Sequence, residues 1–166
     1  MTTTAQVGHN ICELDEIKAT LSQLFSHEME IEAVEQFPDG PQAVATYSTT
    51  EGHAEALCVC DLACGNVIGA ALTMLGPTLV EESVQAGEMG ETAFENLKEV
   101  FNITVALFTG GPRIALADVS MKKLNLNANV KIFDPARWTV TNLKISVDTY
   151  GQGFMSLIAL KSGQSE

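Results

Sequence analysis

The feature of this sequence that most constrains its fold is a central helical region with strand-like runs on both sides. Residues 62–75, LACGNVIGAALTML, are apolar and rich in small residues, and Asp61 can cap them as a helix. Helical character resumes near residue 79 or 81 and continues to about residue 108. The stop signals Gly76-Pro77 and Gly110-Gly111-Pro112 follow the two stretches. We therefore predict two helices in the middle of the chain.

Short runs with strand character flank these helices. An amphipathic helix over 13–29 comes first, because apolar residues recur there at spacings of three and four. The strand-like runs cover 30–37, 42–49 and 53–60 before the central helices, and 113–121, 138–147 and 154–162 after them. This order predicts an α+β fold, with a mostly antiparallel six-stranded sheet and helices packed on it.

The length fits a single domain covering residues 1–166, with about the first ten residues disordered. An Asn-rich polar stretch at 124–130 precedes the last two strands. Within 138–147, Leu143, Ile145 and Val147 alternate in one phase, whereas Trp138 and Val140 have the other. A β-bulge near Asn142 would reconcile the two phases, and we predict one there.

The charge of the chain is strongly acidic and unevenly distributed. The formal net charge is −12, and residues 1–100 alone carry −15. Binding to nucleic acid is disfavoured, because phosphate contacts need clustered Lys and Arg. An acidic surface suits either a basic partner or solubility, and the sequence leaves both open. No apolar run is long enough for a membrane span and the first residues lack a signal-peptide pattern, so we expect a cytoplasmic protein.

Three of the four cysteines stand close together in 57-LCVCDLAC-64, and Cys12 lies far upstream. Zinc sites usually begin with a C-x2–4-C pair, whereas Cys58 and Cys60 form C-x-C. Apolar neighbours favour buried, reduced thiols, and we expect no metal site. A ligand-binding or metal-binding domain built around Cys58, Cys60 and Cys64 is the alternative.

The stretch 91-ETAFENLKEVFNITVALF-108 has two distinct faces when it is drawn as a helix. Glu95, Glu99 and Asn102 fall within a polar stripe about 80° wide, which Glu88 and Glu91 extend toward the N-terminus. The buried face opposite is predicted to contain Ala93, Phe94, Leu97, Val100, Phe101 and Thr104. The polar stripe is either a solvated face or a binding surface.

The order of motifs resembles the CheC/CheX family of chemotaxis phosphatases. The segments that carry the likeness are 54-AEALCVCDLACGNVIGAALTMLG-76, ENLKEVFNITVALF, 112-PRIALADV-119 and 142-NLKISVDTYGQGFMSLIALKS-162. The catalytic helix of that family reads [S/D]-x-x-x-E-x-x-N, and 99-EVFN-102 supplies E-x-x-N at the matching place. The first helix has no second E-x-x-N, which resembles a CheX-like member with a single site.

The resemblance implies a phosphatase that acts on the aspartyl phosphate of a CheY-like response regulator. Asn102 would hold a water in line with the phosphorus, and Glu99 would pair with the regulator's active-site Lys. Glu91, Glu95 and Lys98 would contact the partner beside them. The chain would need no cofactor of its own, because the required Mg²⁺ would belong to the regulator.

Two positions depart from the family pattern. Glu95 stands where the family has Ser or Asp, and Ala117 stands where the family has Pro. The alternative is therefore a non-catalytic adaptor of the same fold that binds a response regulator or a flagellar-switch protein. The sequence also leaves open a monomer or a homodimer formed through exposed sheet edges.

Overall fold

The computed structural model describes residues 8–40, 42–122 and 136–161. The helices are α1 (Leu14–Ser22), α2 (Leu62–Leu72), α3 (Pro77–Ala86) and α4 (Glu91–Thr104), and a 3-10 turn over Val105–Leu107 follows α4. The strands are β1 (Asn10–Ile11), β2 (Met29–Val34), β3 (Gln42–Ser48), β4 (Ala54–Asp61), β5 (Phe108–Thr109), β6 (Ala115–Lys122), β7 (Trp138–Val147) and β8 (Gly151–Leu160). The Asn-rich stretch 124–130 lies outside the described residues.

The strands form one large sheet and one small ladder. The six-stranded sheet has the order β2-β7-β8-β4-β3-β6, and each neighbouring pair is antiparallel. The short strands β1 and β5 pair separately. The predicted α+β fold with a six-stranded antiparallel sheet is therefore confirmed.

The start of the described chain is held in place rather than loose. Residues 1–7 lie outside the described part. Gly8 and His9 are buried, and the His9 amide donates to the carbonyl of Leu160 at 2.7 Å. The prediction of disorder for about ten residues therefore does not extend to Gly8, His9 and Asn10, because hydrogen bonds tie the first two to the sheet and Asn10 pairs with Thr109 of β5.

The helix α2 lies at the centre of the core. Its residues Cys64 to Ala71 are all buried, because α4 and α3 pack on it and the sheet lies beneath it. Asp61 begins the helix as predicted, since its Oδ1 accepts a 2.8 Å hydrogen bond from the Cys64 amide. No helix in the described part of the chain is long and apolar enough to cross a membrane.

The single helix predicted from about residue 79 to residue 108 is wrong. The structure has two helices there, because Gly87 ends α3 with a left-handed φ of 72° and α4 starts after Gly90. The first helix is also shorter than 13–29, since α1 ends at Ser22 and β2 begins at Met29. In both places, between α3 and α4 and between α1 and β2, a short connection interrupts a stretch whose apolar spacing is typical of one continuous helix.

The bulge predicted near Asn142 is absent from the described strands. β7 pairs with β8 without a register shift from Trp138 to Val147. The two apolar phases exist because both faces of the sheet bury side chains. Leu143, Ile145 and Val147 join the main core under the helices. Trp138 packs on a smaller cluster on the other face, which comprises Phe37, Val44, Val59 and Ile158.

Candidate functional site

The helix α4 presents one buried face and one exposed face, as its periodicity predicts. Ala93, Leu97, Val100, Phe101 and Thr104 are buried, and Phe94 is half-buried. This apolar stripe contacts α2 and the sheet, and its burial drives α4 onto the core.

Hydrogen bonds fix the rotation of α4 on its support. The Tyr47 hydroxyl, on β3, donates to the Phe101 carbonyl at 2.6 Å. Nδ2 of Asn96 donates to the carbonyl of Gly69 and to Oγ1 of Thr73, both at 2.8 Å. Directional bonds at two heights along the helix prevent it from rolling, so its exposed face has one orientation.

The N-terminal end of α4 is held by the buried side chain of Asn66 on α2. Its Nδ2 donates to the carbonyls of Leu62 and Glu88, and its Oδ1 accepts from the Gly90 amide, each at 3.0 Å. One amide side chain therefore satisfies backbone groups at the turn between α3 and α4. The turn and Gly90, the N-cap of α4, are therefore fixed relative to α2.

The predicted site residues lie on the exposed face of this anchored helix. Glu91, Glu95, Glu99 and Asn102 are exposed, and Lys98 is half-buried. Nζ of Lys98 lies 3.1 Å from Oε1 of Glu95 and 4.9 Å from the ring centroid of Phe94. Lys98 therefore neutralises Glu95 and leaves Glu99 without a counter-ion among the described residues.

Glu99 and Asn102 are positioned to act on something outside the chain. Neither side chain has a hydrogen bond or an ion pair within the described part of the molecule, and the two residues are three positions apart on one helical face. A carboxylate can form a charge-assisted bond to an ammonium group, and a carboxamide can both donate to and accept from a water. Glu99 and Asn102 could therefore bind a cationic group and position a water, but neither is a strong base.

The cysteine cluster lies in the core, far from solvent. The described cysteines are free; Cys58, Cys60 and Cys64 are buried, and Cys12 is half-buried. The prediction of mostly buried thiols is confirmed. The Sγ atoms of Cys60 and Cys64 are 3.7 Å apart. Among the described residues, no group of three His, Cys, Asp or Glu side chains has the arrangement of a metal site.

Burial makes these thiols poor nucleophiles. Desolvation raises the pKa of the Cys60 thiol well above its usual range. The hydrogen bond with Cys60, followed by desolvation, raises the pKa of Cys64 in the same direction. Since the thiolate is the reactive form, neither residue is suited to covalent chemistry at neutral pH.

A buried contact between His9 and Glu55 near the N-terminus was not indicated by the sequence pattern. Nδ1 of His9 lies 3.2 Å from Oε1 of Glu55, and each side chain is 2% exposed. Nε2 of His9 lies 2.8 Å from the Pro112 carbonyl, and the Gly8 amide donates to Glu55 at 3.0 Å. Nδ1 and Oε1 are close, but their geometry is not that of a hydrogen bond. The pair ties β4 to the start of the described chain and to the loop before β6.

Comparison with known protein families gave no match, and comparison with curated proteins gave none either. Several solved structures are similar in fold. A chain of the FliM–SpeE complex from H. pylori has a TM-score of 0.50 and 10% identity, and the match covers 88% of this chain and 83% of that one. At this identity the likeness shows a shared fold only.

Two further structures are similar at lower scores. FliY from Thermotoga maritima has a TM-score of 0.49 and 15% identity, with 86% of this chain and 81% of that chain covered. CheX in complex with CheY, BeF3 and Mg²⁺ from Borrelia burgdorferi has a TM-score of 0.44 and 12% identity, with 89% and 94% covered.

Proposed function

We propose that this protein docks on a phosphorylated CheY-like response regulator through α4 and accelerates hydrolysis of the regulator's aspartyl phosphate. The observation that carries the proposal is the E-x-x-N pair, Glu99 and Asn102, exposed side by side on a helix whose opposite face is anchored. The proposal places the protein among single-site, CheX-like phosphatases in the cytoplasm.

The chemistry of the reaction suits these two residue types. An acyl phosphate needs little base catalysis for hydrolysis, so positioning of the water and stabilisation of charge dominate. Asn102 would hold the attacking water in line with the phosphorus. Glu99, which has no counter-ion in the described chain, would pair with a lysine ammonium of the regulator. The Mg²⁺ that the reaction requires would be bound by the regulator.

Anchoring of α4 is what makes such a pair useful. A helix that rolled or frayed would misplace both side chains, and a displacement of about 1 Å can cost about a hundredfold in rate. The bond from Tyr47 reaches the residue directly before Asn102, and Asn96 is tied to α2. Glu91, Glu95 and Lys98 would meet the regulator's surface along the same face.

The direct test is hydrolysis of a radiolabelled phospho-regulator in the presence of Mg²⁺. We expect wild-type protein to accelerate loss of the label, and Asn102→Ala to reduce that acceleration by about a hundredfold. Glu99→Gln keeps the shape of the side chain but removes its charge, so it should raise the concentration needed for half-maximal acceleration.

Matched substitutions at exposed residues away from α4 serve as controls. Glu51 lies in the turn after β3, and Asn10 lies in β1. Glu51→Gln and Asn10→Ala should leave the acceleration unchanged. If wild type and Asn102→Ala accelerate hydrolysis equally, the phosphatase proposal fails. Binding of the regulator without any acceleration would instead identify a non-catalytic adaptor for a response regulator or a flagellar-switch protein.

A further inference from the structure

A groove lies between the C-terminal end of α2, the helix α3 and the first turn of α4. Its volume is about 170 Å³, and its apolar lining comprises Ala70, Leu75, Leu79, Val80 and Ala93. Asn66 also lines the groove, but its amide is occupied by the backbone of the α3–α4 turn and of α2. The groove therefore offers contact with apolar side chains rather than a polar ligand site.

Large apolar side chains are exposed beside this groove. Leu79, which lines it, is 50% exposed. Met74, directly before the lining residue Leu75, is 64% exposed, and Val84 on α3 is 37% exposed. Scattered exposed apolar residues are ordinary, but apolar side chains at the rim of a groove are typical of a surface that binds a partner.

The helices that border the groove carry a strong negative charge. Between residues 77 and 104 the acidic residues are Glu81, Glu82, Glu88, Glu91, Glu95 and Glu99, and all six are exposed. Lys98 is the only basic residue in that range, and it pairs with Glu95. An apolar groove that is lined by Glu91 and bordered by helices of this charge is complementary to an apolar surface flanked by cations.

We propose that this groove binds an amphipathic helical segment of a partner protein, with Leu-sized side chains on one face and Lys or Arg beside them. A helix of this kind inserts apolar residues at spacings of three and four, while its flanking cations meet Glu91 and the other carboxylates of α3 and α4. Glu91 at the groove and Asn102 are eleven residues apart on α4, about 16 Å along the helix axis. The groove thus adjoins the proposed regulator-binding face at Glu91 but lies mainly on α2 and α3, and the proposal does not depend on phosphate hydrolysis at Glu99 and Asn102.

Fluorescence anisotropy with a model peptide tests the proposal. The probe is a short fluorescein-labelled peptide with leucines at helical spacing and lysines at the remaining positions, titrated with the whole protein at physiological ionic strength. We expect saturable binding. Matched peptides in which Glu replaces each Lys, or Ser replaces each Leu, should bind at least about tenfold more weakly, because each removes one half of the complementarity.

Paired protein variants show whether the peptide uses the groove. Leu79→Asp should weaken binding by about tenfold or more, whereas Val140→Asp, at a 43% exposed position on the opposite face of the sheet, should not. Glu91→Lys should weaken binding more than Glu51→Lys, which makes the same charge change far from the groove. Circular dichroism and thermal unfolding establish that each variant is folded.

Three outcomes would overturn the proposal. The first is no saturable binding of the Leu-Lys peptide. The second is equal weakening by Leu79→Asp and Val140→Asp, and the third is equal weakening by Glu91→Lys and Glu51→Lys. The last two would mean that the peptide adheres to the acidic surface in general. Methyl NMR spectra give an independent readout, because the peptide should shift the signals of Leu75, Leu79 and Val80 before others.

Discussion

The hydroxyl of Tyr47 donates a 2.6 Å hydrogen bond to the carbonyl oxygen of Phe101, and both residues are fully buried. This bond joins β3, the strand beside the edge strand β6, to the last turn of α4, one residue before Asn102. Burial raises the pKa of Tyr47 well above its usual value, with a smaller contribution from Cys58 and Cys60, so the phenol remains a donor. Tyr47, which is distant in sequence, therefore fixes the part of α4 that carries the exposed residues Glu99 and Asn102.

Tyr47→Phe should destabilise the protein and reduce its proposed activity. Loss of the hydroxyl leaves the buried Phe101 carbonyl without this partner, which costs about 1–3 kcal/mol. Tyr150→Phe is the matched control, because its hydroxyl donates at 2.6 Å to the Leu75 carbonyl, away from Glu99 and Asn102. Urea unfolding should show similar losses for both variants. Only Tyr47→Phe should slow hydrolysis of the phospho-regulator, and equal slowing by both would contradict a positioning role.

Gly69→Ala should disturb the contact between α2 and α4. A Cβ at Gly69 would overlap the backbone of Ala93 on α4, so the helices would have to move apart. We expect a loss of about 1–3 kcal/mol in the free energy of unfolding. Gly76→Ala is the control, since nothing lies within 4 Å of its added Cβ and its φ of −62° suits alanine. The stability of this control should stay within about 0.5 kcal/mol of wild type. Equal losses for Gly69→Ala and Gly76→Ala would contradict the close approach of α2 to α4 at Gly69.

Asp61→Asn should stabilise the protein in a manner that depends on pH. The Oδ1 of Asp61 accepts from the amides of Cys64 and Phe154, and asparagine retains an acceptor for both. Desolvation raises the pKa of Asp61, although those two amides act in the opposite direction. The native state thus binds the proton more tightly than the unfolded chain, so the carboxyl favours folding at low pH and this contribution is lost as pH rises through the native pKa.

The gain from Asp61→Asn should consequently be largest at neutral pH and shrink as the pH falls through the native pKa of Asp61. Urea unfolding over a series of pH values measures this difference. Asp61→Ala, which removes both hydrogen bonds and the helix cap, should cost about 1 kcal/mol or more at every pH. A gain from Asp61→Asn that grew on acidification would contradict the direction of the shift.

His9→Ala should be strongly destabilising despite its place near the N-terminus. The two ring nitrogens of His9 face Oε1 of Glu55 and the Pro112 carbonyl, so the ring fills a buried polar site between β4 and the loop before β6. Removal of the ring leaves a cavity and takes away a polar neighbour of the buried Glu55 and of the Pro112 carbonyl, at a cost of about 1–3 kcal/mol. The double variant His9→Leu/Glu55→Leu should regain part of this loss.

The exposed pair Lys144–Glu32 provides the comparison for His9 and Glu55. Its atoms are 3.9 Å apart, with Lys144 32% and Glu32 68% exposed. Lys144→Ala should change stability by less than about 1 kcal/mol, because solvent screens the pair. Thermal unfolding measures the difference. Similar unfolding midpoints for His9→Ala and Lys144→Ala would contradict a larger contribution of the buried contact to stability.

The thiols should react in two classes with a colorimetric disulfide reagent at neutral pH. Cys58, Cys60 and Cys64 are buried, and the raised pKa of Cys60 and of Cys64 keeps those two thiols protonated. In the native protein only Cys12 should react, and slowly, because desolvation and Glu16 raise its pKa as well. All four should react in urea. Fast labelling of the native protein at more than one thiol would contradict this burial.

Much of the candidate site could be predicted because it depends on local periodicity. The two faces of α4 follow from residues three and four apart in one helix, and burial matches that pattern from Ala93 to Thr104. Asp61 was predictable as a cap for the same reason, since the bond to Cys64 spans one helical turn. The residue types of Glu99 and Asn102, together with the order of motifs around them, indicated the proposed chemistry.

The sequence by itself determined the strand and helix types, the α+β class and the side of α4 that meets solvent, because short-range spacing encodes all three. Only the tertiary structure decided where α3 ends, why β7 carries two apolar phases, and that His9 is buried against Glu55. Those outcomes depend on contacts between residues distant in the chain: Asn66 with the α3–α4 turn, Trp138 with a second cluster, and β4 with the N-terminal segment. Short-range sequence patterns do not specify such long-range contacts.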